Sequence, residues 1–303
     1  MRIVFMGTPD FAVASLAALK DAGFDIVGVV TAADKPAGRG QKLNESAVKK
    51  YAVAHGLKVL QPLKLKDPDF LTELSELKAD LQVVVAFRML PEVVWNMPPK
   101  GTINLHGSLL PQYRGAAPIN HAIINGETES GVTTFFLKHE IDTGDVIFSE
   151  KVHIDPDENA GSLHDKLMET GAKLIVKTVT AISDNTYTET PQPISANLKA
   201  APKIFKDFCK IDWNQPTSQV YNHIRGLSPY PTAFTVFQDK LLKVFEASPE
   251  YVQHSAKPGD FLSDGKTYLK VATTNGYINL LDVQYEGKKR MRIDEFLRGI
   301  RLN

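Results

Sequence analysis

Over the first two-thirds of the chain, short continuous apolar runs alternate with stretches whose apolar residues recur at helical spacing. Residues 2–6 read as a buried strand, and Thr8-Pro9 then supplies an N-cap and a first-turn proline for an apolar helix ending near Gly23. Residues 26–30 form the next strand. The pattern repeats with a helix over 46–55, strands over 81–86 and 102–105, a helical stretch over 119–124 and a strand over 132–137. Continuous apolar strands interleaved with helices predict a parallel, doubly wound α/β sheet. Residues 162–182 predict a long helix with an apolar stripe at Leu163, Leu167, Leu174, Ile175 and Val179, which would close a first domain.

Beyond that helix the texture changes. Thr190-Pro191-Gln192-Pro193 and Ala200-Ala201-Pro202-Lys203 make a proline-punctuated connector, read as the boundary between domains. A helix over 218–225 precedes short alternating runs at 233–237, 241–245, 268–271 and 278–283, separated by Pro-Gly, Asp-Gly and Asn-Gly turns. That spacing predicts a small antiparallel barrel. Three hundred and three residues suffice for two such domains, each with its own core.

Composition adds exclusions. The single cysteine, Cys209, leaves neither a disulfide framework nor a Cys-rich zinc site, which fits a reducing cytoplasm, and its thiol reads as simply buried. The N-terminal apolar run is too short for a signal peptide, and no stretch approaches the roughly 20 apolar residues of a membrane span. The chain is balanced overall, yet residues 201–303 hold 15 Lys and Arg against 11 Asp and Glu, a net of +4, leaving −4 for residues 1–200. This tilt is far weaker than that of a dedicated nucleic-acid module, and a solvated surface explains it equally well.

Candidate chemistry gathers at the carboxyl ends of the predicted strands. Gly7-Thr8-Pro9-Asp10 occupies the place of a dinucleotide-binding glycine loop but lacks its second and third glycines, so a nicotinamide or flavin dinucleotide is not expected. Asn104 and His106, two apart on a strand, share one face and can hydrogen-bond a single developing oxyanion; a satisfied core histidine is the plain alternative. Asp142, in Glu140-Ile141-Asp142-Thr143-Gly144-Asp145, can orient His106 and favour its protonated form, or merely cap a turn before a strand at 146–149. Ser108 sits in no nucleophile elbow, and no HxxE, CxxC or HExxH pattern points to a metal. The long loop Thr31 to Leu43, basic and glycine-containing, leaves the second strand on the same side of the sheet, where long loops commonly serve function.

Taken together, Gly7-Thr8-Pro9-Asp10-Phe11, Pro36-Ala37-Gly38-Arg39-Gly40, Asn104-Leu105-His106-Gly107-Ser108-Leu109-Leu110-Pro111, Tyr113-Arg114-Gly115-Ala116-Ala117-Pro118 and Asp142-Thr143-Gly144-Asp145 are specific. Through them essentially the whole chain resembles the methionyl-tRNA formyltransferases of the folate-dependent formyltransferase superfamily. The resemblance implies a Rossmann-like catalytic domain over 1–190, a linker over 191–205 and an OB-like domain over 206–303 that helps hold tRNA. It implies formyl transfer from 10-formyltetrahydrofolate, without a metal, to the methionine amino group of initiator methionyl-tRNA, by a cytoplasmic monomer with no membrane association. It makes Asn104, His106 and Asp142 the catalytic trio. Ser108, Leu109, Leu110 and Pro111, with Phe87 and Leu90, fall to the folate site, and Arg39 and Lys42 to the loop that enters the acceptor stem.

Two departures stand out. Ala86-Phe87-Arg88-Met89-Leu90-Pro91 is one residue shorter than the family's loop and lacks its Tyr-Gly pair, and Lys138-His139-Glu140 replaces an acidic residue and a glycine before the aspartate's turn. A sugar-nucleotide or purine-precursor formyltransferase would carry the same trio. Purine-pathway relatives generally lack the C-terminal barrel, and sugar-modifying ones lack the Pro-Ala-Gly-Arg-Gly loop. A tRNA-binding module that has lost catalysis is the alternative from another class.

Overall fold

A computed structural model describes residues 1–37, 42–193 and 197–300. Seven strands build the first large sheet: β1 (Arg2–Gly7), β2 (Asp25–Val30), β3 (Val59–Leu60), β4 (Leu81–Val85), β5 (Thr102–His106), β6 (Glu129–Phe136) and β7 (Val146–His153). Across the sheet they run β7, β6, β5, β4, β1, β2, β3. The pairs among β3, β2, β1, β4 and β5 are parallel, as the continuous apolar runs predict, whereas β6 pairs with β5 antiparallel. An antiparallel edge on a parallel sheet is a common addition.

Burial follows the sequence pattern. Ile3, Val4, Phe5 and Met6 are completely buried, as are Val83, Val85 and Ile103. The helix Ala160–Asp184 buries the whole stripe of Leu163, Leu167, Leu174, Ile175 and Val179. It lies so close over β5 that a Cβ added at Gly171 would come within 2.7 Å of the Leu105 side chain. The helix Asp10–Asp21 begins one residue later than expected, with Pro9 rather than Thr8 at its N-cap and no side-chain cap bond. Ser46 does cap the helix Ala47–Ala54, accepting from the Lys49 amide at 3.0 Å. Proline-led Pro68–Glu76, capped by Asp67, and the short β3 are elements that the sequence pattern did not bring out.

A second sheet consists of β8 (Ala233–Phe237), β9 (Lys240–Glu250), β10 (Phe261–Ser263), β11 (Leu269–Ala272), β12 (Tyr277–Tyr285) and β13 (Arg290–Arg292). It is antiparallel throughout, ordered β8, β9, β12, β11, β10, with β13 on β12. Register shifts around Glu246 break the long β9–β12 ladder, the kind of bulge that bends a sheet toward a half-barrel. Trp213, Val220, Ile224, Leu242, Val244, Ile278, Val283 and Phe296 fill its core, and Cys209 is buried there.

The compact units are discontinuous in sequence. One comprises Met1–Arg114, Gly131–Val152 and His164–Lys199; the other comprises Gly115–Ser130, His153–Leu163 and Ala200–Asn303. Within the second, Asn120 donates to the Gly226 carbonyl at 2.8 Å and Arg225 to the Glu158 carbonyl at 2.7 Å, ties that recruit both inserted segments. Among the described residues no helix is long and apolar enough to cross a membrane.

Candidate active site

Strand β5 carries Asn104 and His106 to its carboxyl end. Asn104 is in register with Val84 and Phe135, and His106 with Thr133. Their i, i+2 spacing puts both side chains on one face of the sheet. His106 is 6% exposed. Its Nε2 lies 2.8 Å from the carbonyl oxygen of Tyr113, and a carbonyl only accepts, so Nε2 carries a proton there. The opposite nitrogen, Nδ1, faces a carboxylate oxygen of Asp142 at 3.7 Å, too long for a hydrogen bond but within ion-pair distance.

Both neighbours of the ring sit in the left-handed backbone region: Tyr113 at φ 59° and Asp142 at φ 55°. Residues with side chains rarely adopt that conformation, and the surrounding structure must hold them in it. At Asp142 the turn is wedged against β6. A Cβ built on Gly144 would lie 1.6 Å from the Phe136 carbonyl oxygen, so only glycine fits two residues after the aspartate. Thr143 donates to the Glu140 carbonyl at 3.0 Å, and the amide of Gln192 donates to the carbonyls of Asp142 and Gly144 at 2.9 and 2.8 Å.

The loop after β5 is equally fixed. Thr133 Oγ1 donates to the Ser108 carbonyl at 2.7 Å and accepts from the Leu110 amide at 3.1 Å. Ser108 is fully buried and gives its hydroxyl to the Gln112 carbonyl at 2.6 Å, which makes it a brace of the loop. Leu109, Leu110 and Pro111 remain half-buried, so this loop offers an apolar rim on a rigid main chain.

Phe87 is half-buried, and Leu90, 8% exposed, packs with Val4, Met6, Val84 and Val94 in the sheet's apolar cluster. Between them Arg88 ties its guanidinium to the carbonyls of Pro62 and Leu63. The shortened loop is thus anchored from outside, where a glycine turn is missing. Arg39 lies outside the described residues. Lys42 opens the second strand of a hairpin, Lys35–Ala37 with Lys42–Asn44. At the hairpin's root, Lys49 pairs with Asp34, while Gln61 donates to Asp34 and to the Ala32 carbonyl, each at 2.8 Å. The Lys49 ammonium, then the Gln61 amide, hold the Asp34 carboxyl below the usual carboxylate range.

The structure therefore brings His106 and Asp142 together, with Asn104 on the same strand face. Tyr113, Thr133 and Gln192, which hold this arrangement, escape a sequence reading because they act through main-chain carbonyls or a hydroxyl. Among the described residues no group of three or more His, Cys, Asp or Glu side chains is arranged to hold a metal ion.

Chemically, the pair offers a ring with a protonated edge and a carboxylate that can take or return a proton, beside an amide donor. Such a set stabilises charge developing on a carbonyl oxygen while a proton is moved nearby.

Comparison with known proteins gives the following. The family described as formyl transferase matches residues 1–179, and that described as formyl transferase, C-terminal domain, matches residues 203–301. The methionyl-tRNA formyltransferase of Bacteroides fragilis is 54% identical over 310 residues, covering 100% of this chain and 96% of the relative. That of Flavobacterium johnsoniae is 53% identical over 304 residues, covering 99% and 96%. Among solved structures, an N-formyltransferase from Helicobacter canadensis in complex with folinic acid and dTDP-3-aminofucose aligns with TM-score 0.70 at 22% identity, covering 92% of this chain and 97% of that one. HypX from Aquifex aeolicus in complex with tetrahydrofolic acid aligns with TM-score 0.67 at 21% identity, covering 99% of this chain but 48% of that one. At these identities the two structures share the fold.

Proposed function

The chain belongs to the formyl transferase family, and from that premise we propose that it moves a formyl group from 10-formyltetrahydrofolate to the α-amino group of methionine on initiator methionyl-tRNA. The observation that carries this reading is identity above 50% to methionyl-tRNA formyltransferases along the whole chain, including the C-terminal residues. A folate donor is also the company this fold keeps: its neighbours are described with folinic acid and with tetrahydrofolic acid.

On this reading residues 1–190 carry the transfer, 191–205 link, and 206–303 hold the tRNA, the protein acting as a cytoplasmic monomer. Ser108 to Pro111, Phe87 and Leu90 border the folate, and Arg39 and Lys42 meet the acceptor stem. As the amine attacks, a C–N bond forms at the formyl carbon and charge gathers on the formyl oxygen. Asn104 donates to that oxygen from one side. His106, its Nε2–H already given to Tyr113, turns its Nδ1 edge to the same oxygen, and the 3.7 Å gap to Asp142 leaves that edge free to be shared. One oxyanion donor is worth roughly 2.7 to 4 kcal/mol. Asp142 supports the positive ring and relays the proton lost by the amine to the departing folate nitrogen, whose bond to the formyl carbon breaks.

The test supplies the protein with 10-formyltetrahydrofolate and, in separate reactions, charged initiator tRNA, a dTDP-amino sugar and an amino ribotide. Formylmethionyl-tRNA together with stoichiometric release of tetrahydrofolate is expected. Formylation of the sugar or ribotide alone would replace this reading with a small-molecule formyltransferase, and tRNA retention without tetrahydrofolate release would make the chain a binder.

A further inference from the structure

Gln192 lies in the connector, in a stretch that Thr190 pins to the start of β7 by two main-chain hydrogen bonds with Val146, at 2.8 and 2.9 Å. Its side-chain amide spends its whole hydrogen-bonding capacity on groups around the reacting pair. Nε2 donates to the Asp142 and Gly144 carbonyls at 2.9 and 2.8 Å, and Oε1 accepts from Nε and Nη2 of Arg114 at 3.1 and 2.6 Å. Carbonyls only accept and a guanidinium only donates, so the amide has a single orientation here. Arg114 follows Tyr113, whose carbonyl holds His106. One half-buried side chain therefore spans both supports, the turn that presents Asp142 and the loop that grips the imidazole.

The turn needs such a tie. Asp142 stands in the left-handed region, and its carboxylate reaches His106 Nδ1 at 3.7 Å, a separation that the position of the turn sets. We infer that Gln192 is a positioning residue for the Asp142–His106 pair, acting through the main chain of the aspartate's turn and through Arg114. This inference rests on the role given to Asp142 above.

Gln192→Glu is the informative substitution. It keeps the shape and strengthens the pairing with Arg114, but it has no proton to give and sets a carboxylate against two carbonyls. Were Gln192 only a fastener of the connector through Arg114, this variant would work as well as the parent. We expect kcat to fall roughly 10- to 100-fold, the scale of a small misplacement of a reacting group. KM for the folate donor and for charged tRNA should each stay within about two-fold, because binding surfaces elsewhere are untouched. In an Asp142→Asn background the same change should cost nothing further, since residues acting as one unit are not additive. Should the buried repulsion unfold Gln192→Glu, the neutral Gln192→Met carries the same cycle. Parental turnover in the Gln192 variant beside a crippled Asp142→Asn overturns the positioning role alone. An equal loss in both backgrounds shows that Gln192 does not act through Asp142. Parental turnover in Asp142→Asn overturns the underlying assignment instead.

Discussion

Two of the described histidines, His106 and His223, live in opposite surroundings. His106, at the end of β5, has an acceptor at each edge: the Tyr113 carbonyl at Nε2 and the Asp142 carboxylate near Nδ1. His223, on the helix Thr217–Gly226, has a buried Nε2 with no hydrogen-bond partner and lies tilted against Phe208, 5.4 Å between ring centroids. Burial pushes the His223 imidazole below the usual histidine range. A third ring, His121, gives Nε2 to the Pro202 carbonyl at 2.9 Å, so a carbonyl partner alone does not mark a reacting histidine. What sets His106 apart is the Asp142 carboxylate that faces its far edge.

The largest expected effect breaks that contrast directly. Asp142→Asn keeps the shape and removes the charge, and turnover at saturating substrates should fall roughly 100- to 10,000-fold while the thermal unfolding midpoint barely moves. Turnover near the parental rate would leave His106 no more special than His121. Next, His106→Ala should lower kcat roughly 100- to 1,000-fold, the cost of one oxyanion donor, with folate affinity retained in equilibrium binding. A matching loss of folate affinity would move the ring from reaction to binding.

Gly144→Ala tests the seat and not the group. The added methyl meets the Phe136 carbonyl, so the turn must shift, with a stability loss of roughly 1 to 3 kcal/mol in denaturant unfolding and a fall in kcat through the displaced aspartate. Unchanged kcat in a destabilised variant would show that Asp142 tolerates the shift.

The smallest effect belongs to His223. Its lowered pKa means that the folded state binds fewer protons than the unfolded chain. The stability it contributes is present above the unfolded value of about 6.5 and is lost as pH falls below it. His223→Gln, neutral throughout, should flatten the loss of unfolding midpoint between about pH 7 and 5. An identical slope in parent and variant would assign the acid sensitivity to other groups.

Local pattern revealed the architecture where local physics decides it. Continuous apolar runs named β1, β2, β4 and β5, and the stripe from Leu163 to Val179 named the long helix. The strand period alone put Asn104 and His106 on one face, and the motif around Asp142 supplied the third member. Pattern is silent where partners are chosen across distance. Residues 115–130 and 153–163 look like any other helix, turn or strand end, yet they pack with the C-terminal residues through bonds such as Arg225 to Glu158. The antiparallel entry of β6 depends on which edge of the sheet the chain reaches, and an apolar run is the same read in either direction. Gln192 sits between two prolines in what reads as a connector, and its importance lies in two carbonyls that its own neighbourhood does not disclose.

The burial of β5 also divides the site by timescale. It is paired on both edges, by β4 and β6, and roofed by the helix that touches Leu105 at Gly171, so its amide hydrogens can reach solvent only when the sheet itself opens. Asn104 and His106 inherit that slow clock from their backbone. Asp142 sits on a turn outside the ladder, held by the Gln192 amide and by the fit of Gly144 against Phe136, so its exchange reports that local fastening. Loosening that fastening would speed exchange on the aspartate's side of the site and leave β5 on its slow clock.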